Sequence, residues 1–174
     1  EINLEDRIYI PNAGVILLWP FFSRLFKKLG LVESGVFVDF EAQTYAVYVL
    51  EYLVEGSTLT PEPFLILNKL LTGIPLEDSI PLMPALPQEM ADECDLFLTS
   101  VMSGWKQMSG TSIGAFQSSF LRRSGVLEKG DSGWFLYVDH HVIDILLKTL
   151  PWGLSIAKFA WMKNPIFIEW KATN

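Results

Sequence analysis

Ile10-Pro11-Asn12-Ala13-Gly14-Val15-Ile16-Leu17-Leu18-Trp19-Pro20-Phe21-Phe22 is the stretch whose reading decides how the rest of this chain is arranged. No polar side chain interrupts it from Ala13 to Phe22, and a basic tail follows at Arg24, Lys27 and Lys28. A membrane span needs about 20 apolar residues. A run half that long predicts a helix covered by protein rather than lipid, and no membrane span. Because it is apolar around most of its circumference, it needs cover on most sides. It carries no nucleophile, base or ligand cluster, so its task is packing.

Working outward, the pattern places this helix at residues 15–29, with Gly30 ending it and Pro20 either kinking it or marking its true first turn. Residues 33–38 read as irregular or extended. Asp39 reads as the N-cap of a central helix over 40–54 that Gly56 ends, with Glu41 near its positive end. Thr60-Pro61-Glu62 reads as a cap with Pro at the first helical position, starting a third helix through Thr72 that Gly73 stops. Prolines at 75, 81, 84 and 87 make 74–86 an ordered meander or a flexible connection, and the one place near 74–87 where the chain could break.

A fourth helix spans 87–105, acidic on its early turns. Thr111 or Ser112 caps a fifth, which ends in Arg122-Arg123, where cations suit the helix dipole. The period then changes. Val126–Lys129 and Trp134–Val138 flank a glycine-bounded turn and read as a hairpin. Trp134, Leu136 and Val138 give it an apolar face, Phe135 and Tyr137 an aromatic one. Val142–Leu150 returns to helix, and Leu154–Trp170 suggests one or two short strands. The expected fold is mainly α, α+β in class, with five to six helices, a small β-hairpin and short C-terminal strands, in one domain over 1–174.

Half of the 174 residues are hydrophobic, with six Trp and twelve Phe. Such a surplus has too little polar material to cover it and points to an interface. The net charge of −7 is concentrated between Phe40 and Gly110, where ten acids face two bases. That acidic block repels phosphate backbones and argues against nucleic acid as a partner of the whole chain. A lone cysteine, Cys94, excludes an internal disulfide, and its neighbours Glu93 and Asp95 oppose a reactive thiolate. The start at Glu1, with no initiator Met and no signal-peptide pattern, leads us to expect one domain of a longer protein.

The chemistry-bearing constellations are weak. Asp139-His140-His141 with Asp144 could be offered as a metal cluster for an enzyme. Adjacent histidines on a helix, however, point about 100° apart, and the simpler reading is that Asp139 caps the following helix. No Gly-x-Ser-x-Gly elbow accompanies the serines, and Gly110-Thr111-Ser112-Ile113-Gly114 lacks the lysine of a phosphate-binding loop. A basic-ended helix followed by a hairpin is the order of a winged-helix module, with Arg122, Arg123 and Lys129 as its backbone contacts. Glu128 and Asp131 in the hairpin oppose that. No catalytic, cofactor or metal site is assigned. A generic protein-binding adaptor is a further alternative.

Separated segments in one order carry a resemblance. They include Asn12-Ala13-Gly14 running into Leu17-Leu18-Trp19-Pro20-Phe21, Leu67-Asn68-Lys69-Leu70-Leu71 before Gly73-Ile74-Pro75-Leu76, and Phe120-Leu121-Arg122-Arg123-Ser124-Gly125. Leu150-Pro151-Trp152-Gly153, Trp161-Met162 and Phe167-Ile168-Glu169-Trp170 complete them. Together they resemble the C-terminal region of the tape measure proteins of contractile injection systems, the phage-tail-like particles of bacteria. The resemblance implies a non-enzymatic C-terminal anchor, present in several copies and without cofactor. Its partners would be the hub or baseplate and the inner tube. It implies assembly in the bacterial cytoplasm and a place inside the tail tube of a particle that can be released. The interaction candidates are Trp19, Phe21, Phe22 and Phe26 from the first segment and Trp152, Trp161, Phe167 and Trp170 from the last. Plain core packing is the expected role of more than half of them.

Overall fold

In the computed structural model, which describes residues 7–171, the apolar run forms a 3-10 helix over Ala13–Phe21 that passes into helix α1 (Phe22–Lys28). Pro20 therefore precedes the true α-helical turn. Every residue from Ala13 to Leu18 is buried, and the cover is the chain's own: helix α2 (Phe40–Glu55), the turn at 117–121 and the sheet. Gly14 is required there. A Cβ on it would stand 1.8 Å from the Phe120 carbonyl oxygen, so only glycine lets the two backbones meet.

Helix α2 has the ends its sequence specifies. Asp39 accepts the Ala42 N–H at 2.7 Å, and Gly56 adopts a left-handed φ of 68°. The segment 33–38, expected to be irregular or extended, falls in a small hairpin of the two-residue strands β2 (Val32–Glu33) and β3 (Val36–Phe37). Ser34 and Gly35 turn between them, both at positive φ, as a tight hairpin demands.

Several expectations need correction. The third helix is split into a 3-10 turn (Glu62–Phe64) and α3 (Ile66–Thr72) at Leu65, whose φ of −103° and ψ of 19° leave the helical region. Thr60 does not cap it, since its hydroxyl donates to Glu51 instead. After α4 (Gln88–Gly104), helix α5 (Ile113–Phe116), capped by Ser112, widens into a π turn over Gln117–Leu121. Arg122 is its C-cap, and the Arg123 guanidinium donates back to the Ser119 carbonyl in that turn, so the cations do stand at the negative end. The segment Val142–Thr149 is 3-10 rather than α, and Asp144, not Asp139, accepts the His141 N–H at its start.

A five-stranded sheet closes the fold in the order β1 (Arg7–Ile10), β4 (Gly125–Lys129), β5 (Trp134–Val138), β7 (Ile166–Glu169), β6 (Ile156–Ala157). The expected hairpin is β4–β5, paired from Lys129 opposite Trp134 to Gly125 opposite Val138. Strand β1, which sequence reasoning missed, pairs antiparallel with β4, and β7 runs parallel to β5. The proline-rich stretch 74–86 is an ordered meander. The buried Lys69 Nζ donates to Glu62 Oε1 at 2.7 Å and to the Asp78 carbonyl at 2.5 Å, while Tyr48 and Thr58 donate to the carbonyls of Pro81 and Met83.

Two polar groupings lie inside. Arg123, 1% exposed, makes a two-pronged bond to Asp144, 0% exposed, with both N···O distances 2.8 Å. Nη1 and Nη2 also reach the carbonyls of Asp139 (2.8 Å) and Ser119 (2.6 Å), the buried Nε has no partner among the described residues, and the Arg123 carbonyl accepts the Ala13 N–H. Burial alone would push the Asp144 carboxyl up. The hydrogen bonds from Arg123, the His141 N–H and the Trp170 indole hold it below the ordinary carboxylate value. The second grouping is Glu51, buried on α2, which accepts from Asn12 Nδ2 (3.0 Å) and Thr60, while Asn12 also donates to Asn68. No cation bridges Glu51 among the described residues, and burial raises its pKa.

Removing one member of a buried pair leaves the other charge unpaired, which costs about 3–5 kcal/mol. Arg123→Met should therefore lower the unfolding free energy measured in urea by that amount, and a loss under 1 kcal/mol would show that the pair is not structural. The raised Glu51 value has the opposite sign of pH linkage. The folded state holds this proton more tightly, so stability is greatest below the ordinary value of 4.5 and falls as pH rises through the raised one. Glu51→Gln should melt higher than the parent at pH 8, with the advantage vanishing near pH 4.

Candidate docking surfaces

The eight candidate aromatics divide by position. Phe22, Phe26 and Trp170 are core residues at 0%, 0% and 3% exposure, out of reach of any partner. Trp19, Phe21, Trp152, Trp161 and Phe167 are half-buried. Four of the eight join one aromatic cluster. Trp19 meets Phe159 edge-on, Phe159 stacks on Trp161 with centroids 4.7 Å apart, and Phe22, Phe26 and Phe37 complete it. Aromatics of the first and last segments thus largely cover one another.

Phe21 and Trp152 meet edge-on at 4.9 Å and close one end of a groove of about 710 Å³ between α1 and α4. Leu25, Leu96, Phe97 and Val101 line it, and at the other end Lys28 Nζ lies 2.9 Å from Glu93. Trp152 has a second task there. In a 3-10 ladder the Leu17 carbonyl would accept from residue 20, but Pro20 has no N–H. The Trp152 indole N–H takes that acceptor at 2.8 Å.

The sheet presents a different surface. Its inner face (Ile8, Leu127, Leu136, Ile168) packs on the core, with Leu127 and Leu136 fully buried. Strand alternation sends the other residues outward in two rows, Arg7–Glu128–Phe135–Phe167–Ile156 and Tyr9–Val126–Tyr137–Glu169. Phe135 and Phe167 stack at 5.0 Å, and Tyr9, Tyr137 and Ile156 are 73%, 40% and 47% exposed. Each row is charged at one end only, the first at Arg7, 3.9 Å from Glu128, and the second at Glu169, 3.9 Å from Lys171. The aromatic face read from Phe135 and Tyr137 is therefore real, and β1 and β7 widen it. Neither strand's place could be read from local alternation.

Compared with known families, residues 1–170 match the model of the contractile injection system tape measure proteins. The chain belongs to that family. No curated protein and no solved structure matches it. Among the described residues, no helix of this tape measure protein is long and apolar enough to cross a membrane.

The residues of the rival readings are occupied in this family member. Both Asp144 oxygens are held by Arg123, so it cannot join His140 and His141 on an ion, and no cluster of metal-ligating residues forms among the described residues. Arg123 is buried away from any phosphate, and Arg122 pairs with Glu55 at 3.2 Å. The Cys94 thiol is pushed up to about 12 by burial and then by Asp95 and Glu93, which leaves it unreactive. The structural use of Trp152 yields a direct check. Trp152→Phe keeps the ring but leaves the Leu17 carbonyl without its donor, at a cost of about 1–3 kcal/mol. Equal stability of Trp152→Phe and the parent in chemical denaturation would show that the indole bond contributes nothing.

Proposed function

We propose that this chain is the folded anchor of its tape measure protein. It docks to hub, baseplate or inner-tube subunits, while the remainder of the parent protein sets the length of the tail tube and sheath. The observation that supports this reading most is the outward aromatic face of the five-stranded sheet. A packed sheet ordinarily turns polar residues outward on its open side. Here the middle of that side is Phe135, Tyr137 and Phe167, with charges at two opposite corners and the exposed Tyr9 and Ile156 at the other two. An open apolar and aromatic patch of this kind marks a protein interface. Trp19 and Trp161, at the partly open edge of the aromatic cluster, are secondary contacts in the same scheme. Docking by large side chains requires no catalytic residue, and the domain acts as a non-enzymatic part assembled in the bacterial cytoplasm and housed in the tail tube.

The test separates docking from folding. Tyr137→Ser and Phe167→Ser, made in the full-length protein, should leave the melting temperature of the domain within about 4 °C of the parent. They should cut the yield of full-length particles, counted by electron microscopy, at least tenfold. Normal particle yield from the double variant would overturn the sheet face as the docking surface. Loss of particles only in variants that also unfold would do the same.

A further inference from the structure

We infer that the groove between α1 and α4 receives α4 of a second copy of this chain, forming a two-fold dimer on a side of the domain separate from the sheet face. Two helix stripes build the groove. On α1, Phe21, Arg24, Leu25 and Lys28 recur at helical spacing, and on α4 so do Glu93, Leu96, Phe97, Ser100, Val101 and Gly104. The α4 stripe is about three turns long. Leu96 stands at the rim, 59% exposed, a large apolar side chain with nothing over it.

The charges identify the occupant. One end of α4 is acidic and exposed at Glu89 and Asp92, while Arg24 is exposed on the α1 wall and pairs with no carboxylate among the described residues. Lys28 is already committed to Glu93. A rotation of 180° about an axis near Leu96 lays the two α4 helices antiparallel and places each Leu96 in the other copy's groove. It also brings the acidic end of each α4 toward the other copy's Arg24. A two-fold interface must be self-complementary in this sense, with residue i meeting j and j meeting i. A helix from an unrelated protein would need acids along one flank only, facing Arg24, and would be repelled by the Glu89–Asp92 edge on the other. The second copy supplies the matching charge pattern without further assumption.

Sedimentation velocity on the chain between about 1 and 200 µM should show a reversible monomer–dimer equilibrium. Leu96→Asp should make the chain monomeric throughout that range without lowering its melting temperature, since the side chain is more than half exposed. Arg24→Glu should weaken the dimer about tenfold, and Glu89→Lys with Asp92→Lys should do likewise. Combining all three should restore the parent constant, because the reversed charges then face one another across the two-fold axis. A chain that stays monomeric at 200 µM overturns the proposal. So does a dimer indifferent to Leu96→Asp, or a charge-reversed combination weaker than either parent variant. If the monomer instead binds a helical peptide with a single acidic flank, the groove has another occupant and the second-copy assignment falls.

Discussion

The two-pronged bond between Arg123 and Asp144 is the constraint on which the rest of this architecture depends. The guanidinium sits between the π turn and β4, and its donors reach Ser119, Asp139 and the carboxylate of the segment after β5. That carboxylate also accepts from Trp170, at the end of the last strand, and the Arg123 carbonyl holds Ala13, at the start of the apolar run. Segments from the beginning, middle and end of the chain therefore share one buried charge pair. Arg123 also lies 5.3 Å from the Trp170 ring centroid and 6.0 Å from that of Phe120, so aromatic faces complete its enclosure. Buried pairs of this kind contribute little net stability against an apolar alternative, but they penalise any arrangement in which one partner is displaced. The pair selects this packing over others that hydrophobic burial alone would tolerate.

What could be read in the sequence follows from how local each signal is. Asp39 and Gly56 bound α2 through bonds and dihedrals confined to one turn, and Gly130 to Gly133 bound a hairpin whose strands are neighbours in sequence. Those signals were legible. The pairing of β1 with β4 and of β7 with β5 joins segments far apart in sequence, and no alternation in Arg7–Ile10 or Ile166–Glu169 states its partner. The buried charge pair was not foreseen for a related reason. Nothing in the sequence joins Arg123 to Asp144, because a sequence shows charge but not desolvation. The 3-10 and π turns were missed because their apolar spacing over so few residues is indistinguishable from that of an α-helix.

The aromatic surplus was the right clue with an incomplete reading. Much of it is consumed internally, where Trp19, Phe159 and Trp161 join the two ends of the chain. The part left outward is organised by strand alternation on the sheet. This division matters for an anchoring role, because a surface held by a rigid sheet loses little conformational freedom when a partner covers it. The family assignment and the sheet geometry thus meet at Phe167, a residue of the closing segment that carries the resemblance and also stands on the outward face.

The order of strands has a consequence for how this domain comes into being. Strand β1 lies at one edge of a sheet whose partner strands arrive after residue 124, and the parallel strand that backs the hairpin is made later still. Such distant pairings are slow, since the chain must close long loops before any contact rewards it. During synthesis the apolar run emerges from the ribosome long before its cover exists. Trp152 satisfies Leu17 across 135 positions of sequence and so emerges long after it. The domain is thus completed by its own final segment, and a nascent chain halted before that point would expose the stretch of sequence most prone to aggregate.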